Sequence, residues 1–112
     1  MQYALLIYTR PSVQEAARPM DSAVATVLAR SDVTGWARLH ADGSATTVRD
    51  SDKQTMLTDG PFIETKEFLA GLVMVEAEHL DEALAVAQEL KKTMTGGAIE
   101  VRPVREALFH GA

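Results

Sequence analysis

The order of segments in this 112-residue chain predicts an α+β fold built on one antiparallel sheet. Three observations carry that expectation. Tyr3–Tyr8 and Leu72–Val75 are short, β-rich and apolar at both odd and even positions, as in strands covered on both faces. Leu80–Lys92 repeats apolar residues at helical spacing. Trp36–His40 and Ile99–Arg102 alternate in the manner of half-buried strands.

Taken in order, Tyr3–Tyr8 is the first strand, and Pro11-Ser12 breaks it. Proline belongs in the first turn of a helix, so Pro19 sets the start of a helix running to about Arg30. Met20, Val24, Val27 and Leu28 form its buried stripe. Trp36–His40 follows, with Trp36, Arg38 and His40 on one face. Asp42-Gly43 tolerates positive φ and predicts a hairpin turn, with Ala45–Arg49 as the return strand. Asp50–Lys53 is a further exposed turn before a short strand near Thr55–Thr58. Leu72–Val75 is then the next core strand, opened by Gly71. Leu80, Leu84, Ala87 and Leu90 mark the inner side of the second helix, whose early acids and late Lys91-Lys92 match the helix dipole. Gly96-Gly97 stops that helix, and Ile99–Arg102 is the last strand, ending at Pro103.

Strand, helix, strand, hairpin insertion, strand, helix, strand is the ferredoxin-like plan: a four-stranded antiparallel sheet with two helices on one face. Two helices cover one face only, while two of the strands are apolar on both. A second copy of the chain is the economical cover, so a symmetric homodimer is expected.

Composition bounds the function. The length suits one domain, residues 1–112, and the 46% hydrophobic and 24% charged fractions are ordinary for a globular protein. A net charge of -5 argues against nucleic acid as partner. The N-terminal apolar run is far shorter than a signal or membrane span, and Arg10 follows it; no membrane partner and a cytoplasmic location are expected. The chain has no cysteine, which excludes disulfides and thiolate chemistry. No two histidines share helical or strand spacing, so no metal is expected. Neither a phosphate-cradling glycine loop nor a Gly-x-Ser-x-Gly elbow is present, and no cofactor is expected.

The densest chemistry lies in Thr58-Asp59-Gly60-Pro61-Phe62-Ile63-Glu64-Thr65-Lys66-Glu67. Asp59, held by a Gly-Pro turn, suits a general base; the same residue type at a turn commonly accepts hydrogen bonds from its own backbone. Glu64 is the second candidate base. In an extended chain Glu64 and Lys66 share one side and Glu67 the other, which would orient a polar ligand or make a solvated salt-bridged loop. Trp36, Arg38 and His40 offer a flat apolar wall, an anion-binding fork and a titratable nitrogen. They suit a pocket for a small carboxylated or phenolic molecule; Trp and Arg equally suit a protein interface. Arg49 ends its strand within reach of Asp59 or Glu64, and pairing there would lower the carboxylate's pKa.

Leu5–Tyr8, Ala45–Arg49, Asp59-Gly60-Pro61-Phe62, Glu64-Thr65-Lys66-Glu67, Gly71, Leu80–Ala83 and Ile99–Val104 together resemble the DGPF, or YCII-related, family over almost the whole chain. The resemblance implies a ferredoxin-like fold that dimerises into a two-sheet α+β barrel. It further implies cofactor-independent acid–base chemistry in some relatives, and in others an accessory role beside sigma-factor-like proteins. Many relatives carry a histidine on the first helix that pairs with an aspartate. Between Val13 and Arg30 this chain has none, so half of that dyad is missing.

Overall fold

The strands that read as apolar on both faces lie at the centre of the sheet. The computed structural model describes residues 1–10, 20–40, 42–62 and 66–109. The expectations placed on Pro11-Ser12, Pro19 and Glu64 lie outside the described residues. The elements are β1 (Gln2–Thr9), α1 (Ser22–Leu28), β2 (Val33–Arg38), β3 (Thr46–Ser51), β4 (Gln54–Asp59), β5 (Phe68–Glu76), α2 (Leu80–Lys92) and β6 (Ala98–Pro103). The architecture is mixed α+β: a four-stranded sheet in the order β2-β5-β1-β6, every neighbouring pair antiparallel, with two described helices. Strands β3 and β4 form a separate two-stranded sheet.

Register fixes which side chains meet the helices. Leu5 pairs with Val73 on one side and Val101 on the other, and Tyr3 pairs with Val75. These residues form the core with Val27 of α1 and with Ala83, Val86, Ala87 and Leu90 of α2. Leu5, Val75 and Val86 are fully enclosed, and each such burial stabilises by about 1.5–3 kcal/mol. The opposite face of β1 and β5 carries Ala4, Leu6, Leu72 and Met74, paired Ala4 with Met74 and Leu6 with Leu72.

Three local readings differ from the sequence expectation. Helix α1 begins at Ser22, because Asp21 is extended and its carboxylate accepts a 2.8 Å hydrogen bond from the Ala23 N–H. Its expected stripe survives: Val27 is buried, and Met20, Val24 and Leu28 are half-buried. Helix α2 keeps its expected bounds but is rotated. Ala83, Val86, Ala87 and Leu90 face the sheet, while Leu80 is exposed and Leu84 half-buried. The two alanines let the helix lie close to the strands, while Leu80 and Leu84 follow the rim. The hairpin is also displaced. Strand β2 pairs with β5, and β3 turns back on β4 through Asp52 and Lys53, whose φ values are 49° and 68°. Positive φ at both central residues is the hairpin geometry whose twist matches its strands. Asp42–Ser44 is instead a short 3-10 turn.

At the far end of α1, Arg30 joins the helices. Its Nε and Nη2 each donate at 3.0 Å to the two oxygens of Asp32, and Nη1 donates at 3.1 Å to Glu89 on α2. Hydrogen bonding to Arg30 holds the Asp32 carboxyl below its ordinary value of 3.8, against partial desolvation. A depressed carboxyl pKa gives stability that is present above the unfolded-state value and lost as pH falls through the folded one. Both side chains are partly solvated, so Asp32→Asn is expected to lower urea-unfolding stability by only about 0.5–1 kcal/mol at neutral pH. That difference from wild type should shrink on acidification below about pH 4, the ordinary aspartate range. A difference that stays constant down to pH 2 would contradict the ion-pair account.

Candidate functional site

Helix α2 ends at Lys92, where the Thr93 hydroxyl donates to the Leu90 carbonyl at 2.6 Å. The sheet beneath continues past that point, to Thr9 on β1, Arg38 on β2 and Phe68 on β5. Sheet and helices therefore part at this end, and a cleft of about 320 Å³ opens between them. Its floor is shaped by Gly71, which lies in register with Ile7 on one side and Arg38 on the other. A Cβ on Gly71 would stand 2.7 Å from the Ala37 carbonyl oxygen. Only glycine lets β2 approach so closely, and the missing side chain leaves room above the strand.

The walls combine apolar and cationic groups. Trp36 and Arg38 come from β2, Phe68 from β5, Leu90 from the last turn of α2, Met94 from just beyond it, and Arg10 from the residue after β1. Trp36 is 48% exposed and lines the cleft. Among the described residues, no carboxylate and no imidazole lines this space.

The residues singled out from sequence fall into two places. Trp36 and Arg38 meet at the cleft, as their shared strand face leads one to expect. His40 lies beyond the end of β2, exposed and outside the cleft lining. Asp59 is the last residue of β4, paired with Thr46 and exposed. Arg49 on β3 places its guanidinium over the Phe62 ring, 5.0 Å from the centroid, which joins the hairpin to the Gly60-Pro61 turn. Gly60 has φ +95°; its N–H donates to the Ala45 carbonyl at 2.7 Å, and its own carbonyl accepts from the Thr47 hydroxyl at 2.7 Å. Lys66 is exposed and Glu67 half-buried just ahead of β5. Glu64 is outside the described residues.

Sequence reasoning missed Arg10, Phe68, Leu90 and Met94 as cleft residues. Arg10 carried a usable signal, being a cation at the immediate end of a core strand. Leu90 and Met94 carried none, since apolar residues closing a helix read as core. Among the described residues no cluster of His, Asp and Glu is arranged to hold a metal ion, and no helix is long and apolar enough to cross a membrane.

Two comparisons bear on this arrangement. The family model of the YCII-related domain matches residues 1–108. The chain is also 34% identical over 114 aligned positions to an uncharacterized protein of Rhizobium meliloti (strain 1021), covering 93% of this chain and 92% of that one.

The close approach at the cleft floor is directly testable. Gly71→Ala is expected to destabilise by about 1–3 kcal/mol, because the obstructing atom belongs to the backbone and must shift. Gly35→Ala on β2 is the control, since an added Cβ there meets nothing within 4 Å. Equal losses at both positions in thermal or urea unfolding would contradict the close-approach account.

Proposed function

The chain belongs to the YCII-related family, and from that membership together with the cleft we propose that it is a homodimeric small-molecule-binding protein. The observation that carries the reading is the cleft itself, with the half-exposed Trp36 indole on its wall and Gly71 at its floor. A volume of about 320 Å³ is at the small end of ligand sites, which suits a metabolite-sized molecule. The strand order β2-β5-β1-β6 supports a ferredoxin-like assignment for the sheet, with residues 1–112 acting as one domain.

The half-buried Leu6 and Leu72, paired on the sheet face that does not carry Leu5 and Val73, give a second copy something to cover.

A second reading, that of a non-catalytic protein-binding module, has one observation behind it. Val48 and Leu57 pair on one face of the hairpin and are 66% and 68% exposed, as residues at a protein contact are before association.

Native mass spectrometry of the protein purified from its own host tests the main reading. The expected result is a species at twice the 12.1 kDa chain mass, carrying a discrete small molecule that is lost on denaturation. A bare monomer at micromolar concentration would overturn the dimer and, with it, the reading of the uncovered face. Asp59 stands apart from the cleft, so Asp59→Asn should retain both the fold and the bound molecule. Loss of the bound molecule from a folded Asp59→Asn protein would move the site to the hairpin.

A further inference from the structure

We infer that the outer edge of β6 is an interaction surface for a second copy of this chain. The two β6 strands pair antiparallel about a two-fold axis at Val101, a contact separate from the one at the Leu6 and Leu72 face. Strand β6 is last in the order β2-β5-β1-β6, so β1 occupies one of its sides and, among the described residues, no strand pairs with the other. Hydrogen bonding shows which backbone groups that leaves. The Val104 N–H donates to the Gln2 carbonyl at 2.8 Å, which continues the β1–β6 register by one residue. In an antiparallel ladder every second pair exchanges hydrogen bonds, so Arg102 bonds to Ala4 and Glu100 to Leu6. Ile99 and Val101 therefore turn their N–H and C=O groups outward, and Pro103 turns out a carbonyl with no N–H. Such an edge is a template for another strand.

Side-chain charge identifies the strand that fits. Glu100 and Arg102 are both exposed and, two residues apart, share one face of β6. When identical strands pair antiparallel about Val101, each Glu100 stands opposite the partner's Arg102, and symmetry makes the pair twice. Val101 meets the partner's Val101 through both backbone bonds, and each Ile99 N–H reaches the partner's Pro103 carbonyl. Neighbouring registers are worse. An axis at residue 100 sets Glu100 against the partner's Glu100, and an axis at residue 102 sets Arg102 against the partner's Arg102. The second also places Pro103 opposite Val101, whose carbonyl then lacks a donor. The strand is its own complement, which singles out a second copy over an unrelated strand. Pairing of this kind joins two four-stranded sheets into one, with the helices of both copies on the same side. The Leu6 and Leu72 face stays free on the other side, so edge and face contacts can coexist in an assembly larger than a dimer.

The chain has no cysteine, so a single introduced thiol reports this geometry. Opposite residues of an antiparallel pair have Cα atoms about 5.5 Å apart, within disulfide reach, and residue 101 is the position opposite itself. Oxidised at micromolar concentration, Val101→Cys is expected to become mostly covalent dimer. Ala98→Cys, whose two thiols would lie roughly 20 Å apart, should cross-link at least about tenfold less. Charge is tested by sedimentation at low ionic strength. Glu100→Arg and Arg102→Glu should each halve the mass of the wild-type assembly, and an equimolar mixture of the two should restore it. This second pair of variants also decides the matter if Val101→Cys does not fold. Equal cross-linking of the two cysteine variants, or none in a folded Val101→Cys protein, would overturn the edge contact and leave the face contact standing. Single charge variants that keep the wild-type mass, or a mixture that fails to restore it, would overturn it equally.

Discussion

The pairing of β1 with β5 is the constraint on which the rest of this structure depends. Leu5 against Val73 and Tyr3 against Val75 supply the sheet half of the core, and both helices pack onto them. In most sheets a one-residue slip is prevented because it would turn apolar residues out to water. Here that penalty is weak, because both strands are apolar on both faces. Register has to be fixed another way. The bulge between Ile7 and Tyr8 shifts the ladder by one residue, and Gly71 sits opposite Ile7, where the Ala37 carbonyl leaves no space for a Cβ. Sliding β5 by one residue would put Ala70 or Leu72 at that position and force β2 away. A single glycine thus pins the register and also opens the cleft.

How much of this was legible in the sequence depended on how local the cause was. The bounds of α2 were legible, because periodicity, early acids and late lysines all act within one segment. Its inward face was legible in part: Ala87 and Leu90 are buried as expected, while Ala83 and Val86 stand where Leu80 and Leu84 were expected. Leu80 and Leu84 are more hydrophobic than Ala83 and Ala87, but the distance between helix and sheet favours the smaller residues, and that distance is a tertiary quantity. The hairpin failed for a related reason. Asp42-Gly43 is the stronger local turn signal, yet β2 was already claimed by β5, so β3 could pair only forward, through Asp52 and Lys53. No residue within β2 announces which strand will claim it.

The candidate site divides along the same line. Trp36 and Arg38 share a strand face, and strand alternation alone places them together. Arg10, Phe68, Leu90 and Met94 join them only because the ends of three elements meet at one edge of the sheet. That meeting has no signature in sequence. The two arginines are distant in the chain, and the gap between them is made by a residue without a side chain.

The turn around Asp59-Gly60-Pro61-Phe62, the most distinctive stretch of the sequence, is spent on something else. Its described contacts run to β3 and to the residue just before it: the Gly60 N–H to Ala45, the Thr47 hydroxyl to the Gly60 carbonyl, and the Arg49 guanidinium over Phe62. A two-stranded hairpin is marginal by itself in water, and this one has every residue of β4 exposed. It needs an anchor at its base, and left-handed Gly60 with its two short hydrogen bonds supplies one. Distinctive local chemistry therefore marks where the backbone is hardest to hold. The cleft, with ordinary residues in an unusual place, is where the fold leaves room for another molecule.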